Sequence, residues 1–381
     1  MVILAIVGVL SLGYLLFAYV CIELFHRARK NSPPLSGFQP PVTIFKPLCG
    51  FNPELSANLR SFCEQDYPEY QIIFGLHDNH DPAIPVIRKI MADYPNLDIN
   101  LVIARDLTGN NYKISNLINM YPHARHGILV IADDDMRVTR NYLSNIVAPF
   151  VDQEVGIVTC LYSGSPRGGM ISSLHAMFIN EWFLPSALVG QALYNVQYCF
   201  GATIVVKREI LAQIGGFDVL ADYLADDYML GKLVTDNGHT IHLSHVIIEN
   251  IIHKISLKSM LLHELRWART LRTVAPVGYF FTFLTDTVMI SCLAAFANYF
   301  QTRQLMWPLV IVGSVLLIRI FFHLRIKSLI NSRDAGSIWL IPIRDFLTFI
   351  LRLLSFTGNK IAWKGKTFSV DNIGLIYNPA E

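Results

Sequence analysis

Charged residues are scarce in this chain of 381 residues. Asp, Glu, Lys and Arg make up only 16% of it, whereas 52% of its residues are hydrophobic and its mean hydropathy is +0.40. Soluble globular domains carry about 25% charged residues, so this composition excludes an ordinary soluble protein. The net charge is only +2, which provides no basic surface for a nucleic acid. We therefore expect membrane segments and no nucleic-acid partner.

The sequence also lacks the short motifs of several functional classes. Its six cysteines show no metal-binding spacing, and there is no internal repeat or low-complexity tract. No G-x-x-x-x-G-K-[ST] loop occurs, so ATP-driven transport has no support.

The first 25 residues form a nearly uninterrupted apolar stretch in which Glu23 is the only charge. About 20 such residues cross the core of a bilayer, and a cleaved signal peptide would have a basic start and a shorter apolar region. We predict an uncleaved anchor over residues 1–25. A basic, proline-rich linker follows over residues 26–40, and positive charge beside a span marks the cytoplasmic side. The body of the protein is therefore expected in the cytoplasm, with reduced thiols.

Three more apolar stretches occur late in the sequence, within residues 277–356, at 279–300, 307–323 and 337–356. The first two are expected to form a helical hairpin. The third carries Arg344, Asp345 and Arg352, and charges at membrane depth are costly unless they are paired or face a cavity. A span, a re-entrant helix and an interfacial helix all remain open for it. The basic tail, residues 357–381, is expected in the cytoplasm by its charge, whereas a simple span over the third stretch would place it outside.

The region between the membrane segments, residues 41–252, has the pattern of one α/β domain. Apolar, β-branched runs alternate with helical patterns, which predicts a mostly parallel, Rossmann-like sheet with helices on both faces. The predicted strands are Val42–Phe45, Tyr70–Leu76, Asn100–Ala104 and Ile128–Ala132. The predicted helices between them are Glu54–Phe62, Asp81–Asp93 and Ile114–Tyr121.

Three acidic residues, Asp133, Asp134 and Asp135, directly follow the last of these strands. Ligands bind at the carboxyl ends of strands in open α/β sheets. Strand alternation places the first and third carboxylates on one side, where two hard oxygen donors can hold Mg²⁺ or Mn²⁺ against a diphosphate. A solvated acidic turn is the alternative for this D-x-D run. Lys46 and Asp78 end two other strands, and the convergence of three polar groups at one sheet edge favours a site.

A second acidic pair, Asp226 and Asp227, opens an apolar helix shortly after a Gly-Gly turn. Such a pair can simply cap the helix and complement its dipole. Alternatively, one of the two carboxylates is a general base whose basicity is raised by its acidic neighbour.

Residues 253–276 are expected to contain an amphipathic helix at the membrane surface, over Ser256–Val274. This helix has a leucine face and regularly spaced arginines. Within it, His263, Arg266 and Trp267 fall at i, i+3 and i+4 and share one face. Contact with lipid headgroups, together with an interfacial tryptophan, explains this face equally well on spacing alone.

The order of these features resembles a known family. Asp78, the Asp133–Asp135 run, Asp227 and the His263–Trp267 segment follow the D…D-x-D…D…(Q/R)-x-x-R-W series of membrane-bound inverting glycosyltransferases with a GT-A fold. The resemblance covers nearly the whole chain and is closest to the ceramide-glucosyltransferase-like family. Several stretches look most like its hopanoid-biosynthesis-associated branch, namely 115–120, 200–203 and 263–270. His263 stands where the pattern has Gln or Arg, and it would keep a polar contact with a charge that depends on pH.

The resemblance implies a UDP-sugar donor and a bound Mg²⁺ or Mn²⁺. It implies that Asp78 contacts the uracil or ribose, that Asp133 contacts the ribose or the metal, and that Asp135 ligates the metal. It also implies that further substrate contacts come from Lys46, Lys113, Asn116, Asp226, His263 and Arg266. On the acceptor side, Trp267 would wall the lipid channel and Asp227 would deprotonate the acceptor hydroxyl in one inverting displacement.

The expected function is the transfer of a single sugar, from UDP-N-acetylglucosamine or UDP-glucose, to a hydroxyl of a membrane lipid. A hopanoid polyol such as bacteriohopanetetrol, in a bacterial inner membrane, is the acceptor that the resemblance implies, and ceramide is the alternative. A processive polysaccharide synthase shares the motif series but normally has more membrane spans. A transporter or receptor with a nucleotide-sensing domain is the alternative from another class, and release of UDP in the presence of a lipid alcohol would exclude it.

Overall fold

The computed structural model describes residues 2–31, 37–194, 197–330, 336–363, 366–371 and 374–377. The chain divides into two compact units. The sheet unit comprises Asn31–Ser163, Asn195–His253 and Phe368–Glu381. The helical unit comprises Met1–Lys30, Gly164–Tyr194 and Lys254–Thr367. Parts of the predicted 26–40 linker and 357–381 tail lie outside the described residues.

The sheet unit is built on an eight-stranded sheet in the order β3-β2-β1-β4-β7-β6-β8-β5. In chain order these strands are β1 (Val42–Pro47), β2 (Tyr70–Leu76), β3 (Asp98–Ile103), β4 (Ile128–Ala132), β5 (Met136–Arg137), β6 (Val155–Pro166), β7 (Thr203–Lys207) and β8 (Thr240–Ile252). Three later strands follow, β9 (Lys360–Trp363), β10 (Lys366–Val370) and β11 (Ile376–Tyr377). Strands β10 and β11 pair antiparallel, with Ser369 opposite Tyr377.

The first four strands confirm the prediction from the sequence. β1 pairs in parallel with both β2 and β4, and β2 pairs in parallel with β3. Every residue of β4 is buried, as its uninterrupted apolar run indicates. The pairs β4–β7, β6–β7 and β5–β8 are antiparallel, so the parallel arrangement holds for one half of a mixed sheet. Parallel neighbours need a crossover connection, and the strict alternation of strands and helices that supplies it ends at β4.

The strand order creates a crevice at one edge of the sheet. β2 and β3 extend the sheet from β1 in one direction and β4 extends it in the other. In open α/β sheets, ligands bind outside the carboxyl ends of the strands where the order reverses in this way. A buried apolar cluster supports the crevice, and it includes Phe45, Ile73, Leu129 and Ile131. The carboxyl ends of β1 and β4 are therefore the expected position of a site.

The described residues form helices in both units. In chain order they are α1 (Val2–Lys30), α2 (Leu55–Cys63), α3 (Ile84–Asp93), α4 (Tyr112–Met120), α5 (Tyr142–Val147), α6 (Met170–Phe178), α7 (Leu184–Tyr194), α8 (Arg208–Gln213), α9 (Asp226–Asp236), α10 (Leu257–Val274), α11 (Pro276–Phe281), α12 (Thr287–Thr302), α13 (Met306–Leu329) and α14 (Ile341–Ser355). The predicted amphipathic helix is α10, and the side chain of Ser256 caps it by accepting the amide of Ser259.

Two helices of the helical unit, α1 and α13, are long and apolar enough to cross a membrane. A third candidate is formed by α11, the adjoining 3₁₀ turn Thr282–Thr285 and α12, which together are bent by 62°. These helices cover the predicted anchor and the first two late apolar stretches. α14 has 15 residues, fewer than the roughly 20 needed to cross the hydrocarbon core, which argues against a simple span for the third stretch.

The charged residues of that third stretch are all paired inside the helical unit. The pairs are Arg344 with Glu264, Asp345 with Arg319, and Arg352 with Asp286. The guanidinium of Arg344 donates two hydrogen bonds to Glu264, of 3.0 and 2.9 Å. Because unpaired charges in an apolar environment are costly, these pairs explain how the stretch tolerates its ionic residues.

Replacing Arg344 by methionine should destabilise the helical unit strongly. Arg344 and Glu264 are each only 1% exposed, so the change leaves a buried carboxylate without its main counter-charge. Breaking such a pair costs about 3–5 kcal/mol. We expect a lower midpoint of thermal unfolding in detergent, and recovery of most of the loss in the double variant Arg344→Met/Glu264→Gln. A single variant as stable as the wild type would contradict the role of the pair.

The two units divide the chain at other positions than the domain ranges predicted from the sequence. Residues 164–194 fall inside the predicted α/β domain but belong to the helical unit, where α6 and α7 are joined by the π turn Ile179–Phe183. Residues 368–381 belong to the sheet unit, although they were expected to form part of a separate tail.

Candidate active site

Lys46 and the start of the acidic run meet at the crevice between β1 and β4. The ammonium group of Lys46 donates a hydrogen bond to the backbone carbonyl of Asp133 and lies 3.8 Å from the ring centroid of Phe62. Lys46 is completely buried, and burial lowers its pKa to about 8 although the nearby carboxylates oppose this shift. Lys46 therefore fixes the backbone at the start of the acidic run, and its predicted contact with the donor stays a prediction.

Lys113 connects the two acidic motifs. It lies in the first turn of α4, with its Nζ 2.7 Å from Oδ1 of Asp133 and 3.9 Å from Oδ2 of Asp226. Although burial opposes the shift, these carboxylates raise the pKa of Lys113 above its usual value, so the group stays cationic. The two motifs, distant in sequence, thus form one carboxylate cluster, which consists of Asp133, Asp134, Asp135, Asp226 and Asp227.

Asp227 has the environment of a general base. Its Oδ2 accepts the amide of Gly201 at 2.9 Å and its Oδ1 accepts the amide of Tyr228 at 2.8 Å, which fixes the orientation of the carboxylate. Burial and the negative charge of Asp226 raise the pKa of Asp227 to about 6, against the opposing charge of Lys113. Such a carboxylate is mostly ionised at neutral pH and is still far more basic than an ordinary aspartate.

Asp135 carries an oxygen without a partner. Its Oδ1 is shielded from solvent and accepts no hydrogen bond from any described residue. Burial and the charges of Asp134 and Asp133 raise the pKa of Asp135 to about 7, while a hydrogen bond from Asn250 opposes the shift. A buried carboxylate oxygen left unsatisfied among like charges calls for a cation.

The cluster fits a divalent metal ion that is shared with a ligand. In the described part of the chain, no group of three or more His, Cys, Asp or Glu side chains could hold a metal alone. Mg²⁺, however, is commonly held by one or two carboxylates together with substrate phosphates. Lys46 and Lys113 offset part of the negative charge of these carboxylates, and Asp133 and Asp135 suit a cation that a bound diphosphate would complete.

Two other residues that were predicted to contact the sugar donor, Asp78 and Asn116, take no part in these contacts. Asp78 follows β2, is exposed, and accepts the amide of His80 on its Oδ1 at 2.9 Å. Asn116 is buried, and its amide nitrogen donates to the carbonyl of Gly75 in β2 at 2.8 Å. The structure therefore gives Asn116 a packing role against β2, and the contacts of both residues with the donor stay predictions.

Two residues that the sequence analysis did not single out organise the cluster. Asn111 is fully buried, caps α4 by accepting the amide of Lys113 at 3.0 Å, and donates to the carboxylate of Asp226 at 3.2 Å. Gly201 accepts a hydrogen bond from Lys113 at 3.4 Å while its amide binds Asp227. A Cβ at Gly201 would lie 3.1 Å from Oδ2 of Asp227, so this close approach favours glycine. An asparagine before a helix signals a cap, whereas nothing local to Gly201 signals its contacts.

The remaining predicted site residues lie on α10, in the helical unit. The ring of His263 is edge-on to that of His175, with centroids 5.1 Å apart, and 5.2 Å from the ring of Trp267. Burial and the positive charge of Arg266 lower the pKa of His263 well below its usual value. A lowered pKa favours the neutral form of the His263 ring, and the pH-dependent charge of this residue stays a prediction. The substrate contacts of His263, Arg266 and Trp267 stay predictions.

Other arginines of α10 hold the end of α14. Arg272 donates to the carbonyls of Ser355 and Gly358, at 2.5 and 3.0 Å, and Arg269 donates to the carbonyl of Lys360. Basic side chains commonly satisfy the last carbonyls of a helix in this way. Arg269 and Arg272 thus have a structural role within the helical unit, beside the headgroup contact that their spacing allows.

The chain is similar along most of its length to two curated proteins of Caenorhabditis elegans. It is 24% identical to ceramide glucosyltransferase 3 over 373 residues. The aligned region covers 95% of this chain and 78% of that protein. It is 25% identical to ceramide glucosyltransferase 1 over 296 residues. The aligned region covers 77% of this chain and 62% of that protein.

The fold also has a solved counterpart. The mannosyltransferase PcManGT from Pyrobaculum calidifontis, solved in complex with GDP-Man and Mn²⁺, superposes with a TM-score of 0.50 at 17% sequence identity. The match covers 91% of this chain and 99% of that one, and it confirms the predicted GT-A type of fold. The sequence model described as Glycosyl transferase family 21 matches residues 3–376. The chain therefore belongs to glycosyl transferase family 21.

Proposed function

We propose that this protein transfers one sugar from a UDP-sugar to a hydroxyl group of a membrane lipid, with inversion at the anomeric carbon. UDP-N-acetylglucosamine and UDP-glucose are the proposed donors. The acceptor that we propose is a hopanoid polyol such as bacteriohopanetetrol, on the resemblance of residues 115–120, 200–203 and 263–270 to that branch. Ceramide is the second candidate, because the curated relatives named above are ceramide glucosyltransferases.

One observation supports this proposal above the others: a basic carboxylate and the D-x-D run belong to the same cluster. Lys113 bridges Asp133 and Asp226, and Gly201 contacts both Lys113 and Asp227. A sugar transferase needs these two functions side by side, because the donor leaves as a diphosphate while the acceptor hydroxyl loses its proton. Burial and the charge of Asp226 raise the pKa of Asp227 to about 6, which is typical of a general base and supports chemistry rather than binding alone.

Within this proposal the residues of the cluster divide the work. A divalent cation held by Asp133 and Asp135 would neutralise charge on the departing diphosphate. Lys113 holds Asp133 in place and adds a fixed positive charge beside it. Asp227 takes the proton of the acceptor hydroxyl as that oxygen attacks the anomeric carbon. Arg266 lies on α10 and is not a member of this cluster. We keep the proposal that it contacts the diphosphate, because its planar guanidinium can donate two hydrogen bonds at once.

The lipid acceptor is supported by the membrane helices. α1 and α13 are each long and apolar enough to cross a bilayer. The basic end of α1 supports a cytoplasmic position for the catalytic residues under the positive-inside rule. We propose a bacterial inner membrane as the location, in agreement with the hopanoid acceptor. A cytoplasmic active site also gives direct access to nucleotide sugars.

A panel experiment tests the proposal. Purified protein in detergent or vesicles is incubated with UDP-glucose, UDP-N-acetylglucosamine or UDP-galactose, together with a hopanoid polyol, ceramide or diacylglycerol. We expect mass spectrometry to detect one added sugar on a lipid and an equal amount of released UDP. A polymer would indicate a processive synthase instead. Nucleotide binding without UDP release under any condition would indicate a sensor and contradict the proposal.

The rate should depend on pH through Asp227. Because this carboxylate must be ionised to accept a proton, and its pKa is raised to about 6, kcat/KM should fall about tenfold per pH unit below pH 6. Asp226→Asn removes the neighbouring negative charge, so the falling limb should move to lower pH. A limb that stays in place in Asp226→Asn would show that another group controls it.

A further inference from the structure

A hairpin near the end of the chain packs into the sheet unit. Strands β10 and β11 pair antiparallel, and Oδ1 of Asp371 accepts the amide of Leu375 at 2.8 Å in the turn between them. The hairpin buries apolar side chains, with Phe368 and Val370 each 5% exposed and Ile376 2% exposed. This part of the chain, expected from the sequence to lie in a basic tail, is therefore an integral element of the sheet unit.

Strand β11 holds the loop that leads into the acidic pair of α9. The amide of Ile376 donates to the carbonyl of Asp222 at 2.8 Å, and the amide of Leu224 donates to the carbonyl of Gly374 at 3.0 Å. Tyr223 forms an antiparallel bridge with Leu375. Three consecutive loop residues are thus bound to the hairpin just before α9 begins at Asp226.

α9 has little else to fix its first turn locally. The residue at its N-cap position is Ala225, and no side chain at that position caps the helix. The free amides of a first turn are usually anchored by a capping side chain, whose absence leaves the turn dependent on its neighbours. The amide of Gly201 and the side chain of Asn111 bind the carboxylates of this turn, and the loop that leads into the turn sets the position of its backbone.

Asn110 links the same hairpin to the start of α4. Its side-chain nitrogen donates to the carbonyl of Ile376 at 3.2 Å and to Oδ1 of Asp222 at 2.9 Å. The next residue, Asn111, donates to the carbonyl of Tyr223 at 2.8 Å and also caps the helix that carries Lys113. The hairpin, the loop before Asp226 and the helix of Lys113 thus meet at two adjacent asparagines.

We propose that the hairpin formed by β10 and β11 is a positioning element for the transfer reaction, which acts by holding the loop of Asp227 through Ile376 and Asn110. This inference rests on the proposed function, because it requires Asp227 to act as the base. Displacement of a reacting group by about 1 Å can lower a rate about 10²-fold. In the proposed function, Asp133 and Asp135 hold the donor through the cation. Both residues follow β4, so loosening the hairpin should slow the reaction without weakening UDP binding.

Asn110→Ala in the full-length protein tests the proposal, because it removes the side-chain bonds to Ile376 and Asp222, keeps the backbone amide bond to Asp222, and alters no donor or base residue. The matched control is Asn119→Ala in α4, the helix that follows Asn110, which deletes one amide-to-carbonyl bond, to Asp106. With UDP-sugar and a lipid alcohol, we expect kcat of Asn110→Ala to fall about tenfold or more. Its UDP affinity should stay within about twofold of the wild type, and Asn119→Ala should keep both values.

A second variant and a structural readout complete the test. Ile376→Pro lacks the amide that binds Asp222, so it should lower kcat further, and amide hydrogen exchange at Leu224 should become faster in both test variants. If Ile376→Pro does not fold, Asn110→Ala decides alone. An unchanged kcat in Asn110→Ala, or parallel losses of kcat and UDP affinity, would overturn the positioning role. A wild-type protein that makes no glycolipid would instead overturn the proposed function, and the positioning role with it.

Discussion

Asp227→Asn should abolish sugar transfer and leave UDP binding intact. An amide has nearly the same size as a carboxylate but cannot accept the proton of the acceptor hydroxyl. A well-placed general base contributes about 10²–10⁴ in rate, so the loss should bring turnover near the limit of detection. The donor site is expected to survive because Asp133, Asp135 and Lys113 are unchanged, and the substitution removes only one negative charge from the cluster.

The control for this variant is Asp236→Asn, at the other end of the same helix. Asp236 forms an exposed ion pair with Lys232 at 2.6 Å, and exposed pairs contribute little to stability. We expect Asp236→Asn to keep wild-type turnover. Turnover is measured as released UDP and as glycolipid by mass spectrometry, and UDP binding by calorimetry. If Asp227→Asn loses UDP binding together with turnover, Asp227 is a donor ligand or a structural residue rather than the base.

Local sequence patterns were sufficient to predict part of this architecture. The four apolar runs that became β1 to β4 have few alternatives, because continuous β-branched segments between helical patterns fit a buried parallel sheet. The Asp133–Asp135 run follows β4 directly, so its place at the sheet edge came from the strand itself. Ser256 was readable as the start of α10 for the same reason, since a capping residue acts on the turn that follows it.

The contacts that complete the site join segments that are far apart in sequence, and no local pattern encodes them. Lys113 was assigned to the donor, but its bridge between Asp133 and Asp226 depends on how α4 and α9 pack. Gly201 became important only because its backbone approaches both Lys113 and Asp227. The antiparallel half of the sheet escaped prediction for a related reason, since it lacks the regular strand–helix alternation that signals a parallel sheet.

The buried charges of the helical unit show the same limit of prediction from sequence. The sequence indicated that Arg344 needs a partner at membrane depth, and the structure supplies Glu264 from another helix. Sequence reasoning can state that a partner must exist, because the energetic cost of an isolated buried charge is general. It cannot choose the partner, because that choice depends on tertiary packing.

Asp135→Ala should remove the metal dependence of donor binding. Oδ1 of Asp135 is buried without a hydrogen-bond partner among the described residues, and repulsion from Asp133 and Asp134 adds to burial in raising the pKa of Asp135 to about 7. A divalent cation would relieve both the missing contact and the repulsion, so the free energy of cation binding should depend strongly on this oxygen. In the wild type we expect Mn²⁺ or Mg²⁺ to tighten UDP binding and excess chelator to stop turnover.

Asp135→Ala should bind UDP weakly, with the same affinity in the presence and absence of the metal. Its turnover should fall by roughly 10²-fold or more, because neutralisation of the leaving group by a metal contributes several kcal/mol. Asp134→Ala is the sharpest comparison, since it removes the same charge from the neighbouring residue of the run and should keep metal-dependent UDP binding. Calorimetry of UDP at fixed Mn²⁺, with matched chelator titrations, measures both. If wild-type turnover persists in excess chelator, the metal site is refuted. If Asp134→Ala loses the metal dependence and Asp135→Ala keeps it, Asp134 is the metal ligand instead of Asp135.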